Sequence, residues 1–516
     1  MVCPVNKKDS SIVGLAYAEE ECVKVLPDAT PSSGLQDGAT WYPLEPNEYS
    51  DFGGNITTLV RNPINASRQR QKGVVADLEA AGGFTQDLTQ KNLARLMQGF
   101  LFADAHERAT TIALNSSTTV VALEDMTATA TFEVGVGEGA EFKVGDILKF
   151  SGFDVAANNI DEVLVTVVTG DVITTDATFA VETVDALCKI EKVGYQFVVS
   201  EASITTAGGI LKLTDVGTAC DTLDCQIGEW IYITQSGTHG FVNNGGYARV
   251  KAIVAGSLTL ELPTWTPAAE ATPAVTVRIY FGTFLRNEKL SANIVTRTYQ
   301  LERQLGEDSV GVQSEYLVGA VANEFTLNLA TADKVTCDMS FMALDNELRD
   351  GTTGVKPGAR ADLEVETAFN TSSDVPNIRL FEHSTAIEPT LMFAYVMDGS
   401  ISIKNNVTAI KAIGQLGGFD TNVGDFEVGG ELNVFFATID AVQAIKDNAS
   451  VGLNMILAKE NAGIVFDIPL LTLGGKGIGV VANEPIKMAL EQFGAENEEG
   501  YTIGITYFSY LPAAAY

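Results

Sequence analysis

The alternation of apolar and polar side chains near the middle of the chain is the feature that most constrains its fold. Within residues 294–344, apolar residues recur at every second position of two segments. They are Phe325, Leu327 and Leu329 in the first segment and Val335, Cys337, Met339 and Phe341 in the second. A period of two places all these side chains on one face of a sheet, so both segments are predicted to be β-strands with one buried face.

The length and charge of the chain set its broad class. At 516 residues it is too long for a single hydrophobic core, and roughly two to four domains are expected. Its net charge is −33, from 66 acidic and 33 basic residues. Static binding of nucleic acid is disfavoured, because such binding depends on Lys and Arg neutralising phosphates. The charge therefore indicates either a surface that keeps the protein soluble or a surface that DNA passes without sticking.

The chain shows no pattern typical of secretion, membrane insertion or zinc binding. Its N-terminal segment lacks the long apolar run of a signal peptide. Asp467, Pro469 and Lys476 interrupt the apolar segment 462–482, which favours a strand hairpin over a membrane helix. The close pair Cys220–Cys225 has no second pair and no histidine at zinc-finger spacing. We therefore expect a soluble protein with reduced thiols, made in a cytoplasm.

The first hundred residues predict an arm followed by a compact unit. Residues 1–50 are polar, contain several prolines and show no sustained period, so they are predicted to form an N-terminal arm. Strands are predicted at residues 56–60 and 74–78, followed by a Gly82–Gly83 turn and a helix capped by Thr89. The helix carries one apolar stripe that should pack against a sheet. The stripe consists of Leu93, Leu96, Met97, Phe100 and Leu101.

Two consecutive segments, residues 110–195 and 196–282, resemble one another. Each contains paired asparagines and glycines at matching offsets, and such residues mark turns with positive backbone angles. The matched glycines are Gly145 with Gly228, Gly152 with Gly237, and Gly170 with Gly256. The repeat predicts two small, tandem, all-β modules.

The predicted fold is mainly β with few short helices. A linker at residues 346–389 is followed by a unit at residues 390–516, where a long strand, a helix beginning at Thr438, and a hairpin are expected. The same order of elements is predicted for residues 51–109 joined to residues 283–345. We therefore expect two copies of one β-sandwich or barrel-forming domain, the first copy interrupted by the two inserted modules.

No catalytic, cofactor-binding or metal-binding motif stands out. The three histidines, His106, His239 and His383, lie outside any HExxH pattern. The segment 474–477 lacks the flanking residues of a phosphate-binding loop. Residues 154–162 lack the regular acidic spacing of a calcium loop, so a β-turn is favoured there. The chain is therefore expected not to be an enzyme and to need no cofactor or metal.

A basic cluster stands out in so acidic a chain. It consists of Arg61, Arg68, Arg70 and Lys72. One interpretation is a solvated pair of strands. The other is an electrostatic contact with an acidic patch on a neighbouring subunit, which gains weight because exposed strand edges are natural sites for subunit pairing.

Three passages of the chain resemble the tail-tube proteins of long, flexible-tailed bacteriophages. They are residues 44–101, 294–344 and 402–437, and with the closing hairpin they cover roughly half of the chain. The resemblance implies stacked rings whose inner sheets form a continuous β-barrel around a channel for DNA. It also implies a virion location after synthesis in the host cytoplasm, with tape-measure and tail-end proteins as partners.

The resemblance further implies a long loop that becomes ordered when rings stack. The best match is the acidic, glycine-containing segment 306–315. Its candidate contact residues are Gly306, Glu307, Asp308, Val310 and Gln313, which join Arg61, Arg68 and Arg70 as expected inter-subunit contacts. Because the family's channels have about six-fold symmetry and this chain is expected to hold two domains, three chains should form one ring, with rings of six chains as the alternative.

A second class of function stays open at this point. Tandem β modules often bind sugars, and aromatic residues at the predicted module turns could contribute to a carbohydrate- or cell-binding adhesin. These residues are Phe153, Tyr232 and Phe241. An extracellular enzyme is a third possibility, which the absence of a secretion signal disfavours.

Overall fold

The computed structural model describes most of the chain. The described residues are 14–27, 39–62, 64, 69–126, 130–185, 187–217, 219–235, 237–307, 311–363, 366–383, 390–392, 395–436, 439–475 and 483–516. In these residues the fold is mainly β, as predicted, and the helices are short. Within the described part of the chain, no helix combines the length and the apolar character needed to cross a bilayer.

Strands are numbered in chain order. The first part of the chain contains β1 (Gly14–Glu19), β2 (Thr40–Leu44), β3 (Pro46–Arg61), β4 (Gln71–Asp87) and the helix α1 (Ala94–Leu101). The repeats contain β5 (Leu123–Met126), β6 (Thr131–Val134), β7 (Asp146–Ser151), β8 (Val163–Thr169), β9 (Val172–Thr175), β10 (Lys189–Phe197), β11 (Ala202–Thr205), β12 (Leu211–Asp215), β13 (Trp230–Ile233), β14 (Gly246–Val254), β15 (Ser257–Glu261) and β16 (Val277–Phe281).

The second half of the chain adds sixteen strands and one helix among the described residues. The strands up to the last helix are β17 (Thr283–Arg286), β18 (Tyr299–Glu307), β19 (Val312–Leu329), β20 (Thr336–Ala343), β21 (Asp345–Arg349), β22 (Ala359–Arg360), β23 (Asn377–Glu382), β24 (Thr390–Leu391), β25 (Val396–Lys404), β26 (Thr408–Lys411), β27 (Gly418–Asn422) and β28 (Glu427–Phe435). The helix α2 (Asp440–Asp447) precedes β29 (Val451–Lys459), β30 (Ala462–Gly475), β31 (Lys487–Gly494) and β32 (Gly504–Phe508).

The chain forms two compact units. Unit 1 contains residues 1–92, 295–368 and 398–430, and unit 2 contains residues 93–294, 369–397 and 431–516. The described part of the predicted N-terminal arm includes β1, β2 and the start of β3, and the predicted linker includes β21, β22 and β23. The domain boundaries given by the sequence pattern stay a prediction.

Unit 1 is built around the long strand β19. The N-terminal half of β19 pairs with β18 and β21, while its C-terminal half pairs with β20 and β25. The change occurs near Gly319, whose φ of 62° is positive and whose N–H donates to the Glu20 carboxylate at 3.0 Å. Two sheets therefore share one strand, in the orders β2-β1-β18-β19-β21 and β3-β4-β20-β19-β25.

The alternating segments form the core of unit 1, as predicted. Their apolar side chains are all buried along β19 and β20, including Cys337, whereas Glu324 on the opposite face is exposed. The predicted turn at Gly82 and Gly83 is wrong, because both glycines lie inside β4. They are needed for close packing, since a Cβ atom at Gly82 would lie 2.3 Å from a methyl group of Leu317.

Within unit 2, the two repeats form one twelve-stranded sheet with two separate cores. The first repeat has the strand order β10-β7-β8-β9-β6-β5, and the second has the matching order β16-β13-β14-β15-β12-β11. Their last strands, β10 and β16, pair antiparallel and join the two halves. The repeat seen in the sequence is thus a repeat of one six-strand arrangement.

The matched turn residues have matched geometry. The φ angles are positive at all six glycines, as predicted: 100° and 96° at Gly145 and Gly228, 78° and 75° at Gly152 and Gly237, and 59° and 66° at Gly170 and Gly256. The buried side chains of Asn158 and Asn244 donate to equivalent carboxylates, Glu182 at 2.7 Å and Glu270 at 2.8 Å.

The repeats pack against the C-terminal sheet of unit 2. This sheet has the order β24-β23-β29-β30-β32-β17, and the second half of β30 also pairs with β31. A shared core joins Trp230, Tyr247 and Tyr280 of the repeats to Phe381 and Phe508 of this sheet. The inserted β modules are therefore a firmly packed part of unit 2.

Two arginines cross that packed layer. Arg249 on β14 lies 2.6 Å from the carboxylate of Asp467 on β30, and both side chains are almost fully buried. Arg379 donates to the carbonyl oxygens of Leu262 and Pro263, both at 2.8 Å. Burial lowers the pKa of Arg379 to about 10. These contacts fix the register between the layers, because each guanidinium has a defined set of acceptors.

Helix α1 buries the predicted stripe but begins later than the sequence predicts. Leu93 stands at the N-cap, and no side chain caps the helix. Thr89 is not the cap, because its hydroxyl donates to the carboxylate of Glu366 at 2.7 Å. Leu96 and Phe100 are fully buried, and α1 contacts β17 within unit 2.

Replacing Leu96 with Asp is expected to give insoluble protein and no assembly. The substitution places a carboxylate where no cation is available in the apolar stripe, at a cost of several kcal/mol. Soluble yield and the melting temperature of the variant measure the expected loss of stability. Normal stability in this variant would show that the stripe is not a core element.

Candidate assembly surface

The hairpin of β3 and β4 projects from unit 1 as an exposed arm. The name arm is used here for residues 55–76, whose described side chains are exposed apart from the half-exposed Gly73. Five apolar side chains on the arm are between 52% and 59% exposed: Ile56, Leu59, Val60, Val74 and Val75. At about 3.3 Å per residue, strand residues 55–61 reach roughly 23 Å beyond the packed part of the hairpin.

The arm is basic as well as apolar. The segment 52–76 contains four basic residues and no Asp or Glu, although the whole chain has a net charge of −33. Arg61, Arg70 and Lys72 are exposed on the arm, and in the part of the chain that the structure describes no ion pair engages them. Arg68 lies outside the described residues. Three of the predicted basic residues are therefore available at one projecting tip.

The base of the arm is fixed by an arginine on β18. Arg303 donates to the carboxylate of Glu315 at 3.1 Å and to the carbonyl oxygen of Phe52 at 3.2 Å. Its guanidinium also lies 4.5 Å from the ring centre of Phe52 and 5.3 Å from that of Tyr49. A cation over two rings and beside a carboxylate holds β3 in one direction as it leaves the sheet.

Replacing Arg303 with Ala is expected to lower the free energy of unfolding by about 1–3 kcal/mol, since it removes a charge-assisted hydrogen bond and two cation–π contacts. Denaturant titration measures the loss, and hydrogen exchange should rise in residues 49–54. The matched control is Arg349→Ala, because Arg349 is more exposed and pairs with Glu347 only two residues away. Equal stability of the two variants would contradict this role.

The predicted contact loop at residues 306–315 is mostly a β-hairpin. Gly306 and Glu307 end β18, Gln313 lies in β19, and Glu307 pairs with Val312. Asp308 and Val310 lie outside the described residues. A long loop is therefore the wrong description, because strand pairing continues almost to the tip. Ordering on assembly and the contact roles of these residues stay predictions.

The sequence signal for the arm was incomplete. Register shifts occur between Thr57 and Thr58 and between Leu59 and Arg61, so the ladder is interrupted by bulges. Both faces of the arm meet solvent, and the period of two that marks a half-buried strand is absent there. The 25-residue gap in acidic residues was the signal that could have marked the whole hairpin.

A second exposed hairpin, β26–β27, also carries apolar side chains. Its exposed residues range from 36% to 107% exposed and are Ile410, Ile413, Leu416, Phe419 and Val423. Residues 408–427 contain three acidic residues, Asp420, Asp425 and Glu427, and one basic residue, Lys411. This surface, defined here as the β26–β27 hairpin with residues 423–427, has the opposite charge to the arm.

The aromatic residues expected to serve an adhesin are not exposed. No group of three or more potential metal-ligating side chains is found among the described residues. In the segment 154–162, Asp161 lies 3.5 Å from Lys149, and Glu162 pairs with Arg278. Phe153, Tyr232 and Phe241 are buried at 5%, 4% and 0% exposure, so the proposed aromatic contacts of an adhesin are wrong.

A polar pocket of about 230 Å³ lies beside His106. The ring of His106 lies 2.9 Å from the carbonyl oxygen of Asp224, and Glu107 accepts hydrogen bonds from the Leu114 amide and the Thr118 hydroxyl. Burial raises the pKa of the Glu107 carboxyl. These groups connect neighbouring loops of unit 2.

The mainly β architecture and the two exposed apolar hairpins are typical of a structural protein that associates with itself. A family model described as phage tail tube protein matches residues 10–496. The chain belongs to this family and is a structural component of the phage tail. No curated protein matches the sequence. Family membership implies self-assembly into a tube.

Proposed function

We propose that this chain is the repeating subunit of the tube, that its rings stack end to end, and that phage DNA passes through the channel into the host. The observation that carries the proposal is the arm, an apolar and basic hairpin whose described side chains are exposed. Burying exposed apolar surface on association favours an assembly, although lost translational and rotational freedom offsets part of the gain.

The arm is proposed as the main contact between subunits. Without its four basic residues the chain would carry a charge of −37, because −33 minus 4 equals −37. Any neighbouring copy therefore presents mostly negative surface to a positive arm. Charge complementarity of this kind guides encounter and fixes register.

The channel wall is proposed to be acidic. A ring multiplies the net charge of −33 by its number of chains, and a narrow channel focuses that field. Walls of the same sign as DNA discourage adhesion during transit. A resolved tube with a predominantly basic lumen would refute this proposal.

Three chains are proposed for each ring. Each unit contains one long strand that pairs with different partners along its two halves, β19 in unit 1 and β30 in unit 2. In the C-terminal part of the chain, β28, α2, β29 and β30 follow the order strand, helix, strand, strand. If each unit occupies one of six positions in a ring, three chains complete the ring. Tape-measure and tail-end proteins are the proposed further partners.

Negative-stain microscopy of the concentrated, purified chain tests the function, and native mass spectrometry of released rings tests the stoichiometry. Hollow filaments and a ring mass of three chains are expected. Compact particles at every concentration would contradict the function. A mass of six chains would contradict only the ring size.

A further inference from the structure

The two exposed hairpins of unit 1 are complementary to one another. The arm is apolar and basic, whereas the β26–β27 hairpin with residues 423–427 is apolar and acidic. Asp420, Asp425 and Glu427 are all exposed, and no ion pair engages them in the part of the chain that the structure describes. Contact between the two hairpins would therefore bury apolar surface on both and pair the basic residues of one with the acidic residues of the other.

The described basic residues of the arm lie away from the β26–β27 hairpin of the same copy. Lys411 on β26 lies beside Asp77 and Glu79, which places the β26–β27 hairpin at the base of the arm. The arm continues from that base as a paired ladder, with Leu59 opposite Val74 and Arg61 opposite Gln71. Arg61 is therefore roughly 13–20 Å away from that base along the hairpin.

We infer that the arm of one copy docks against the β26–β27 hairpin of a neighbouring copy. The inference rests on the proposed self-assembly and names the surface that receives the arm. The contact joins two different surfaces, so each copy offers one arm and one acceptor. Heterologous contacts of this type continue from copy to copy and close into rings or extend as tubes.

Charge reversal on the two sides tests the contact. Arg61→Glu with Lys72→Glu, or Asp420→Lys with Asp425→Lys, should each reduce tube yield by about tenfold or more, because like charges then face each other. The chain with all four substitutions should recover assembly, since every reversed arm meets a reversed acceptor. The loss should be larger at low salt.

A matched control reverses two exposed acidic residues elsewhere, Glu124→Lys with Asp125→Lys on β5. It should assemble like the unaltered chain. Circular dichroism and thermal melting of every variant separate misfolding from lost contact. Normal assembly of the arm variant, or failure of the four-residue variant when it is folded, would overturn the docking.

A cross-linking measurement separates this contact from the proposed function. A mixture of ¹⁴N- and ¹⁵N-labelled chains is treated with a zero-length carbodiimide, which joins Lys to nearby carboxylates. Mixed-isotope peptides joining Lys72 to Asp420, Asp425 or Glu427 are expected. Tubes without such peptides would overturn the docking and leave the tube function intact. Absence of both tubes and cross-links would overturn both.

Discussion

A chain in which residues 57–77 are replaced by an Asn-Gly turn is expected to fold and to form no tubes. Ile56 and Leu78 lie directly opposite each other, so a two-residue turn can join them. The described residues among those deleted are largely exposed. The loss also removes the partly exposed ion pair of Asp77 with Lys411, and the free energy of unfolding should change by less than about 1 kcal/mol. Assembly should fail because the main apolar and basic contact is gone.

Thermal melting measures whether the shortened chain folds, and electron microscopy measures whether it forms tubes. A full-length control, Leu59→Ser with Val74→Ser, keeps the arm and its charge while removing two exposed apolar side chains. It should assemble only at higher protein concentration. Tubes of normal yield from the shortened chain would show that the arm is not an assembly element.

Replacing Arg249 with Leu is expected to destabilise the chain by about 3–5 kcal/mol, because the buried carboxylate of Asp467 then loses its direct ion-pair partner. Burial already raises the pKa of Asp467, and Arg249 opposes that rise. The double variant Arg249→Leu with Asp467→Leu should regain much of the loss, since neither charge remains buried.

Denaturant unfolding of the two variants tests this pair. The matched control is Lys251→Ala, on the same strand. Its ammonium group pairs with Glu261 at 3.2 Å, but the side chain is 62% exposed, so the expected loss is below about 1 kcal/mol. If Arg249→Leu cost no more than Lys251→Ala, the buried ion pair would not be what fixes the repeats on the C-terminal sheet.

Local patterns predicted much of the fold. The alternation around Phe325 and Cys337 predicted two strands with one buried face. The structure has these strands as β19 and β20. The six matched glycines predicted turns that require positive φ. A hairpin in residues 390–516 was also predicted, and β29 and β30 form it. Glu460 and Asn461 at its turn both have positive φ.

Other features depend on residues far apart in the chain. Gly82 and Gly83 were predicted to form a turn because glycine favours turns, but here they make room for Leu317 and Ser50. Thr89 was predicted as a helix cap, yet it bonds to Glu366, 277 residues away. The Arg249–Asp467 pair spans 218 residues. No local window contains such partners.

The assembly surface was only partly predictable for a related reason. The basic residues Arg61 and Arg70 were recognised, but the length of the arm was not, because an exposed hairpin leaves no burial pattern. The segment 306–315 looked like a loop since glycine and acidic residues dominate it, although backbone pairing carries β18 and β19 almost to its tip. In the sequence, a contact surface between copies of the chain is marked only by its charge and by apolar residues that the fold leaves exposed.

Cryo-electron microscopy of filaments formed by the purified full-length chain tests the central claim most directly. The account predicts a hollow tube of stacked three-chain rings, an acidic lumen, and an arm of each copy in contact with a neighbouring copy. Solid fibres, or a tube in which the arms remain free in solvent, would contradict it.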